Sequence, residues 1–183
     1  MGVALRERLI GRFRWVDPGP ESSHLVSDVS GWWRDPEVLS ALGPALAALF
    51  ADERPTVVTA PEVTGLLLGP LVATALGAGF VPAMKQCDAR RVAEPTTWTQ
   101  TPPDYRGRTL RLGIRDRHLG PGDRVLVVDD WVATGAQVRA LYELIATRGA
   151  EVVGAAAVVA DCPPQVAAEL RLRSLLTGAD LPS

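Results

Sequence analysis

Two adjacent carboxylates, Asp129 and Asp130, directly follow a run of branched apolar residues. The run, Arg124 to Val128, reads RVLVV and is typical of a buried strand. A loop of small residues, Ala133 to Ala136, comes next, and from Val138 onward apolar residues recur at helical spacing. The pattern predicts a buried strand, an acidic pair, a small-residue turn and a helix at one end of a parallel sheet. Proteins of the α/β class bind phosphorylated ligands at such a place.

The acidic pair and the loop suit different parts of one ligand. Ionised carboxylates only accept hydrogen bonds, so the hydroxyl groups of a ribose are natural partners for Asp129 and Asp130. Backbone N–H groups in the loop are unshielded, and the helix that begins near Ala136 directs its positive end at them, which favours a phosphate. The alternative is a plain strand–turn–helix corner in which Gly135 serves backbone geometry and the aspartates are caps. Strand, acidic pair and loop in register favour the ligand site.

Composition narrows the class of protein. A chain of 183 residues that is 47% hydrophobic and 22% charged can bury a sizeable core, and we expect a single domain over residues 1–183. A net charge of −2 does not favour nucleic acid or an anionic membrane as a partner. Cys87 and Cys162 lack the spacing of a metal or redox site, which predicts reduced thiols in a cytoplasmic protein. Neither a signal peptide nor a membrane span is predicted.

The order of predicted elements favours an α/β fold. Two strand–helix–strand units predict an open, mainly parallel sheet with helices on both faces. The last residues predict a short helix at 163–172 and then a final strand or a tail at 175–183. The predicted strands of the two units lie at 56–60, 80–84, 124–128 and 151–160, and their helices at 66–76 and after 136.

Other segments have weaker patterns. Residues 14–33 hold three of the five tryptophans and predict short strands outside the main sheet. Asp35, followed by Pro36, is a good helix start. Residues 86–103 show no clear period and predict a lid, a binding loop or a hairpin, whereas residues 108–114 alternate like a half-exposed strand.

Two segments resemble a known family. Val125 to Gln137 resembles the phosphoribosyl-pyrophosphate (PRPP) loop of the type I phosphoribosyltransferases, and the adenine phosphoribosyltransferases match best. Val57 to Lys85 resembles the family's pyrophosphate-loop strand, its helix and the following strand that ends in Lys. Together with GDRVLVVDD and the turn before it, the two segments cover about half of the chain, and they follow one another in the family's order. The resemblance implies an enzyme that transfers 5-phosphoribosyl from PRPP to a nucleobase in purine salvage and releases pyrophosphate.

The resemblance also implies a role for each matched residue. Asp129 and Asp130 would be the catalytic pair, which holds the ribose hydroxyls and favours positive charge at C1 in an oxocarbenium-like transition state. Pyrophosphate would bind to the loop Pro61 to Thr64, including Val63 and Thr64, and to Lys85 as a point charge. The residues that would bind the 5′-phosphate of PRPP are Ala133, Thr134, Gly135, Ala136 and Gln137.

Further expectations follow from the family. Mg²⁺ would be bound mainly through PRPP oxygens, with no metal site made by the protein alone. A hood of about residues 13–35 would cover the base, and a mobile loop within residues 100–119 would close over PRPP. Trp32 and Trp33 could stack on a purine, but packing within the hood is the favoured role. The family also implies a homodimer.

The chain departs from the family on the pyrophosphate side. The adenine enzymes usually carry an Arg where Thr64 stands and a basic residue where Met84 stands. Arginines between Arg106 and Arg117 could take over that charge or form a solvated loop, and Asp104-Tyr105 is the pair nearest to the family's acidic residue and Tyr. The missing cations favour an alternative, a non-catalytic PRPP- or nucleotide-sensing regulatory protein on the same fold. A third hypothesis is a nucleotide-binding α/β protein of unrelated mechanism.

Overall fold

A computed structural model describes residues 2–20, 25–87, 94–104 and 107–182. The elements in those ranges alternate between strands and helices after a short N-terminal part. In chain order they are α1 (Val3–Arg12), β1 (Arg14–Val16), β2 (Val26–Asp28), α2 (Ser30–Arg34), α3 (Pro36–Ala48), β3 (Val57–Pro61), α4 (Gly65–Leu76), β4 (Gly79–Lys85), β5 (Thr96–Gln100), β6 (Arg111–Arg115), β7 (Arg124–Val132), α5 (Ala136–Thr147), β8 (Glu151–Ala160), α6 (Pro164–Glu169) and β9 (Leu172–Thr177).

A seven-stranded sheet in the order β5-β6-β4-β3-β7-β8-β9 forms the centre of the molecule. Strands β4, β3, β7, β8 and β9 are parallel, and β6 and β5 extend the β4 edge in antiparallel pairing. The predicted open, mainly parallel α/β sheet is therefore confirmed. On one side of the sheet β4 follows β3 outward, and on the other side β8 and β9 follow β7 outward. The strand order therefore reverses between β3 and β7, and the carboxyl ends of these two strands form a topological switch point.

Both faces of the sheet are covered, and β7 shows why the central strands are apolar throughout. Leu126 and Val128 pack into the core beneath α1, α3 and α4. Val125 and Val127 pack on the opposite face against α5. Because side chains alternate along a strand, burial on both faces requires a continuous apolar run. No helix in the described ranges has the length and apolar character needed to cross a membrane.

The N-terminal part adds a small second sheet, while its helices α1 and α2 share the core on one face of the main sheet. Strands β1 and β2 pair with each other in an antiparallel two-stranded sheet. Trp32 in α2 is fully buried and its indole N–H donates to the backbone oxygen of Leu9 at 2.9 Å, which confirms a packing role for this side chain. Asp35 caps α3 as predicted, since its carboxylate accepts from the backbone N–H groups of Glu37 and Val38 at 3.0 and 3.3 Å.

The predicted end of the strand that carries the acidic pair was wrong. The strand expected to end before Asp129 continues as β7 to Val132, because its pairing with β8 extends through the acidic pair. Within residues 86–103, β5 pairs with β6, so the hairpin alternative is correct for residues 96–100; residues 88–93 lie outside the described ranges. Within residues 100–119, where a mobile loop was expected, the connection between β5 and β6 lies between Gln100 and Arg111, and its described residues are 101–104 and 107–110.

The alternation predicted for β6 was also wrong at Gly113. This residue is buried, because the ring of Trp98 in β5 covers it, and a Cβ at this position would lie 2.5 Å from that ring. Trp98 and Gly113 are opposite each other in the β5–β6 pair, and the small residue leaves the space that the large ring occupies.

Candidate functional site

A cleft of about 540 Å³ opens at the carboxyl ends of the parallel strands. Residues from five parts of the chain line it: the end of β7 with the loop before α5, the end of β4, the β5–β6 connection, the hood, and the residue after β8. The lining residues outside the β7–α5 segment are Lys85, Thr101, Asp104, Arg108, Leu110, Trp15, Leu25, Val26, Ser27 and Asp161.

The structure brings together most of the sequence-predicted site residues. Lys85, Asp129, Asp130, Ala133, Thr134, Gly135, Ala136 and Gln137 all line the cleft. Val63 and Thr64 do not line it, and the side chain of Val63 is 67% exposed at the start of the β3–α4 corner. Of the Asp104-Tyr105 pair, Asp104 lines the cleft and Tyr105 lies outside the described residues, as do Arg106 and His24.

The two aspartates have different surroundings. Asp129 is 5% exposed, and its Oδ1 accepts a hydrogen bond from the backbone N–H of Asp130 at 3.0 Å. Burial raises the pKa of Asp129 well above its usual value, and the neighbouring charge of Asp130 raises it further; the positive charge of Lys85 opposes this shift. Asp130 itself is partly exposed toward the cleft. The pair therefore combines one sheltered and one accessible carboxylate.

The raised pKa of Asp129 predicts a pH-dependent stability. The folded protein binds this proton more tightly than the unfolded chain, so the favourable contribution is complete below the unfolded pKa of about 4. It is lost as the pH rises through the raised folded pKa. We therefore expect Asp129→Asn to flatten this part of the stability profile and to raise the free energy of unfolding of the ligand-free protein near neutral pH. Urea unfolding at a series of pH values measures it.

The matched control for this prediction is Asp52→Asn. Asp52 is exposed and lies outside the cleft. This control removes one carboxylate from the surface, and a stability profile that Asp129→Asn changes no more than Asp52→Asn does would contradict the prediction.

The loop before α5 is held by its own backbone and by two helices. Gly135 has φ of 74°, the left-handed conformation that L side chains rarely adopt, and a Cβ there would lie 2.6 Å from Cδ1 of Leu170. Arg139 of α5 donates from Nη1 to the backbone oxygen of Thr134 at 2.7 Å. The same guanidinium donates from Nε and Nη2 to both carboxylate oxygens of Glu169 in α6, each at 2.8 Å. This bidentate pair connects the loop to the helix after β8.

Gln137 adds a polar group at the start of α5. Its Oε1 is buried without a hydrogen-bond partner among the described residues. Buried polar atoms are normally hydrogen-bonded, so this amide is available to a ligand in the cleft that it lines.

Lys85 is positioned by the corner after β3. Its backbone N–H donates to Oε2 of Glu62 at 2.9 Å, and the backbone N–H of Glu62 donates to the oxygen of Ala83 at 2.9 Å. The peptide bond between Glu62 and Val63 is cis. Glu62 thus connects this corner to the end of β4, which leaves the Lys85 side chain in the cleft and close enough to lower the pKa of Asp129.

Sequence reasoning missed an aromatic cluster at the hood side of the cleft. The ring of Trp131 stacks on Phe13 with centroids 5.7 Å apart and meets Trp15 edge-on at 5.8 Å. Trp131 directly follows the acidic pair, and this adjacency was the available signal. Asp161 was also missed; its only signal was its position directly after a buried strand, next to the strand that carries the aspartates.

The fold and the cleft together define a class of protein. It is an α/β protein with a crevice at a topological switch point, a helix that begins after a left-handed glycine, and two carboxylates on the adjoining strand. Proteins of this class bind phosphorylated ligands in such crevices.

Comparisons with known proteins identify the family. A family model described as the phosphoribosyl transferase domain matches residues 34–167. Adenine phosphoribosyltransferases of Streptomyces clavuligerus and Streptomyces coelicolor are 34% and 35% identical over 154 and 157 residues, which cover 84% and 86% of this chain and 84% of each relative. This chain belongs to the phosphoribosyltransferase family.

Solved structures agree with this assignment. The adenine phosphoribosyltransferase of Rhodothermus marinus matches with a TM-score of 0.80 at 28% identity, over 96% of this chain and 99% of that one. The enzyme of Giardia lamblia, complexed with 9-deazaadenine, matches with a TM-score of 0.81 at 26% identity, over 97% and 98% of the two chains. The type I phosphoribosyltransferase fold expected from the sequence is confirmed.

Proposed function

We propose that this protein transfers the 5-phosphoribosyl group of PRPP to a nitrogen of a purine base, adenine above all, and releases pyrophosphate in purine salvage. The observation that carries the proposal is the convergence of Asp129, Asp130, Lys85 and the loop before α5 on one cleft. The similarity to adenine phosphoribosyltransferases along most of the chain supports the choice of acceptor.

Each part of the cleft has a task in this reaction. Asp129 and Asp130 accept hydrogen bonds from the ribose hydroxyls, and their charge favours the positive charge that develops at C1 as the bond to pyrophosphate breaks. Backbone N–H groups of the loop, the hydroxyl of Thr134 and the side-chain N–H groups of Gln137 donate hydrogen bonds to the 5′-phosphate. Lys85 neutralises the pyrophosphate, which leaves with the electron pair of the broken bond.

Mg²⁺ is the proposed cofactor, bound mainly through PRPP. The described residues contain no group of three or more His, Cys, Asp or Glu that could hold a metal ion. Mg²⁺ commonly takes one or two carboxylates together with phosphate oxygens and waters. The carboxylates of Asp129 and Asp130 fit that kind of coordination, and Mg²⁺ would supply positive charge for the pyrophosphate group.

The remaining parts of the proposal concern the surroundings of the cleft. Val63 and Thr64 would contact the pyrophosphate from the β3–α4 corner once PRPP is bound. Residues 1–183 would act as one domain whose hood, about residues 13–35, covers the base; Trp15 and Val26 on the cleft wall support this. A cytoplasmic homodimer is the proposed form, and the exposed apolar side chain of Leu67 in α4 supports a partner surface on that helix.

The second candidate is a regulatory protein that binds PRPP or a nucleotide without catalysis. The charge of the cleft favours it. Among the described lining residues the cations are Lys85 and Arg108, and Arg108 already pairs with Asp104 at 3.0 Å. A pyrophosphate therefore meets few unpaired positive charges here.

Binding and turnover distinguish the two candidates. Isothermal titration with PRPP should show binding that depends on Mg²⁺, and a pyrophosphate-release assay with a panel of purine and pyrimidine bases should show release with purines, fastest with adenine. Absence of PRPP binding would overturn the transferase and the PRPP-binding form of the regulatory protein, and titration with purine nucleotides would then test the nucleotide-binding form. Binding without release on any base would support the regulatory protein.

A further inference from the structure

Arg139 contacts the loop before α5 from outside the cleft. Its Nη1 donates to the backbone oxygen of Thr134 at 2.7 Å, and its Nε and Nη2 donate to the two carboxylate oxygens of Glu169, each at 2.8 Å. Thr134 lines the cleft, whereas Arg139 and Glu169 do not. The guanidinium therefore joins the cleft-lining loop to α6 on the side of the loop that faces away from the cleft.

The hydrogen bond to Thr134 sets the direction of the next N–H group in the chain. The peptide bond between Thr134 and Gly135 is trans, and in a planar trans peptide the C=O and N–H bonds point in nearly opposite directions. Because the carbonyl oxygen is turned toward the guanidinium, the N–H of Gly135 points to the cleft, which this residue also lines. The N–H has no acceptor among the residues that the structure describes. It is therefore free to donate to a phosphate in the cleft.

Helix α6 holds the guanidinium in this position. An arginine side chain is flexible, and a bidentate bond to a carboxylate restricts it. The hydrogen bond from Arg139 holds the pKa of Glu169 below its usual value, so the pair stays charged at neutral pH. Tyr142 of α5 donates from its hydroxyl to the backbone oxygen of Leu170, directly after α6. The two helices are thus fixed to each other around the bond from Arg139 to the loop.

A simple contact between helices is the alternative role of this ion pair. The side chains of Arg139 and Glu169 are 30% and 55% exposed, and ion pairs this accessible stabilise a fold little. Arg173 makes a comparable bridge outside the cleft, because it donates to the backbone oxygen of Leu49 and to the carboxylate of Glu53. The bridge made by Arg139 differs in one respect, since its backbone acceptor belongs to a loop that lines the cleft.

We propose that Arg139, held by Glu169, is a positioning residue that directs the N–H of Gly135 at the 5′-phosphate of the ligand. The inference rests on the proposed function for the identity of that ligand, a ribose 5-phosphate unit. Arg139 acts through the loop and not by contact, since its charge is already paired with a carboxylate. Without the guanidinium, the peptide between Thr134 and Gly135 is free to rotate, and the phosphate loses a preorganised donor.

The affinities for AMP and adenosine measure this role, because the two ligands differ only in the 5′-phosphate. AMP is the nucleotide that the proposed reaction forms from adenine. We would determine Kd for both by isothermal titration in the wild-type protein, Arg139→Met and Glu169→Gln. In Arg139→Met, Kd for AMP should rise about tenfold, as expected for the loss of a hydrogen bond to a charged group, and Kd for adenosine should not change. Glu169→Gln should raise Kd for AMP less, because its amide oxygen still accepts from the guanidinium.

Arg173→Met is the matched control, because it removes a guanidinium bridge of the same kind outside the cleft. It should keep both wild-type Kd values. An unchanged Kd for AMP in Arg139→Met, or an equal rise for AMP and adenosine, would overturn the inference, and so would an equal effect of Arg173→Met. If Arg139→Met does not fold, the ratio of the two Kd values in Glu169→Gln decides in the same way.

The result is separate from the test of the proposed function. A wild-type protein that binds AMP more tightly than adenosine but transfers 5-phosphoribosyl to no base contradicts the proposed function, and the Arg139 variant still decides the inference. A protein that transfers to adenine and keeps its AMP affinity in Arg139→Met retains the proposed function and loses the inference. A wild-type protein that binds AMP no more tightly than adenosine would overturn the inference directly.

Discussion

Replacing Asp130 with Asn is expected to lower kcat by about 100-fold or more while the fold survives. The substitution keeps the shape of the side chain and removes its charge at the accessible member of the acidic pair. Without that charge, the positive charge at C1 loses an electrostatic partner in the transition state. Initial rates with PRPP, Mg²⁺ and adenine measure the loss, and thermal unfolding followed by circular dichroism measures the fold.

The control for Asp130→Asn is Asp52→Asn, which removes one negative charge from an exposed position outside the cleft. It should retain wild-type turnover. Wild-type turnover in Asp130→Asn would exclude the proposed catalytic role of this residue, whereas unfolding of the variant would point to a structural role.

Substituting Ala for Gly135 is expected to lower both stability and PRPP affinity. The left-handed backbone conformation at φ of 74° disfavours any L side chain, and the added Cβ would lie 2.6 Å from Leu170, which is itself buried. Together these effects should reduce the free energy of unfolding by about 2 to 4 kcal/mol. The loop would shift to relieve the contact, and the N–H groups at the start of α5 would then no longer suit a phosphate. Urea unfolding and titration with PRPP measure the two effects.

Gly122 separates backbone strain from the steric contact. It also has a left-handed conformation, with φ of 94°, but a Cβ there would meet nothing within 4 Å, and the residue lies outside the cleft. Gly122→Ala should therefore cost only about 1 kcal/mol and leave PRPP affinity unchanged. Equal destabilisation in the two variants would show that the contact with Leu170 is unimportant, and unchanged PRPP affinity in Gly135→Ala would contradict the role of the loop.

Local patterns predicted the elements that carry the cleft with good accuracy. The β8 prediction, residues 151–160, matches the observed strand because a continuous apolar run between turn residues leaves few alternatives. Asp35 was recognisable as a helix cap, since its carboxylate bonds N–H groups only two and three residues ahead. The start of α5 behind Gly135 was likewise determined by neighbours in the chain. These features depend on interactions over a few residues.

Boundaries that depend on a partner strand were less predictable. The acidic pair was expected after the strand, but hydrogen bonds to β8 continue the strand to Val132. The sequence did not distinguish β5 from the loops beside it. The strand is stabilised by its pairing with β6 and by the contact between Trp98 and Gly113, and these residues are not neighbours in the chain. Strand pairing is a non-local interaction, so the sequence of one segment does not show where its pairing begins and ends.

The sequence alone predicted the order of strand, acidic pair and loop from Arg124 to Gln137, and with it the proposed ribose-phosphate site, because these residues are consecutive in the chain. The tertiary structure alone determines which residues from other parts of the chain lie next to this segment. The sheet order sets Lys85 and Asp161 on opposite sides of β7, and the packing of the hood brings Phe13 and Trp15 to Trp131. The same packing leaves Val63 at the surface instead of in the cleft lining. Long-range packing controls such neighbours, so the surroundings of the site follow from the fold and not from any one motif.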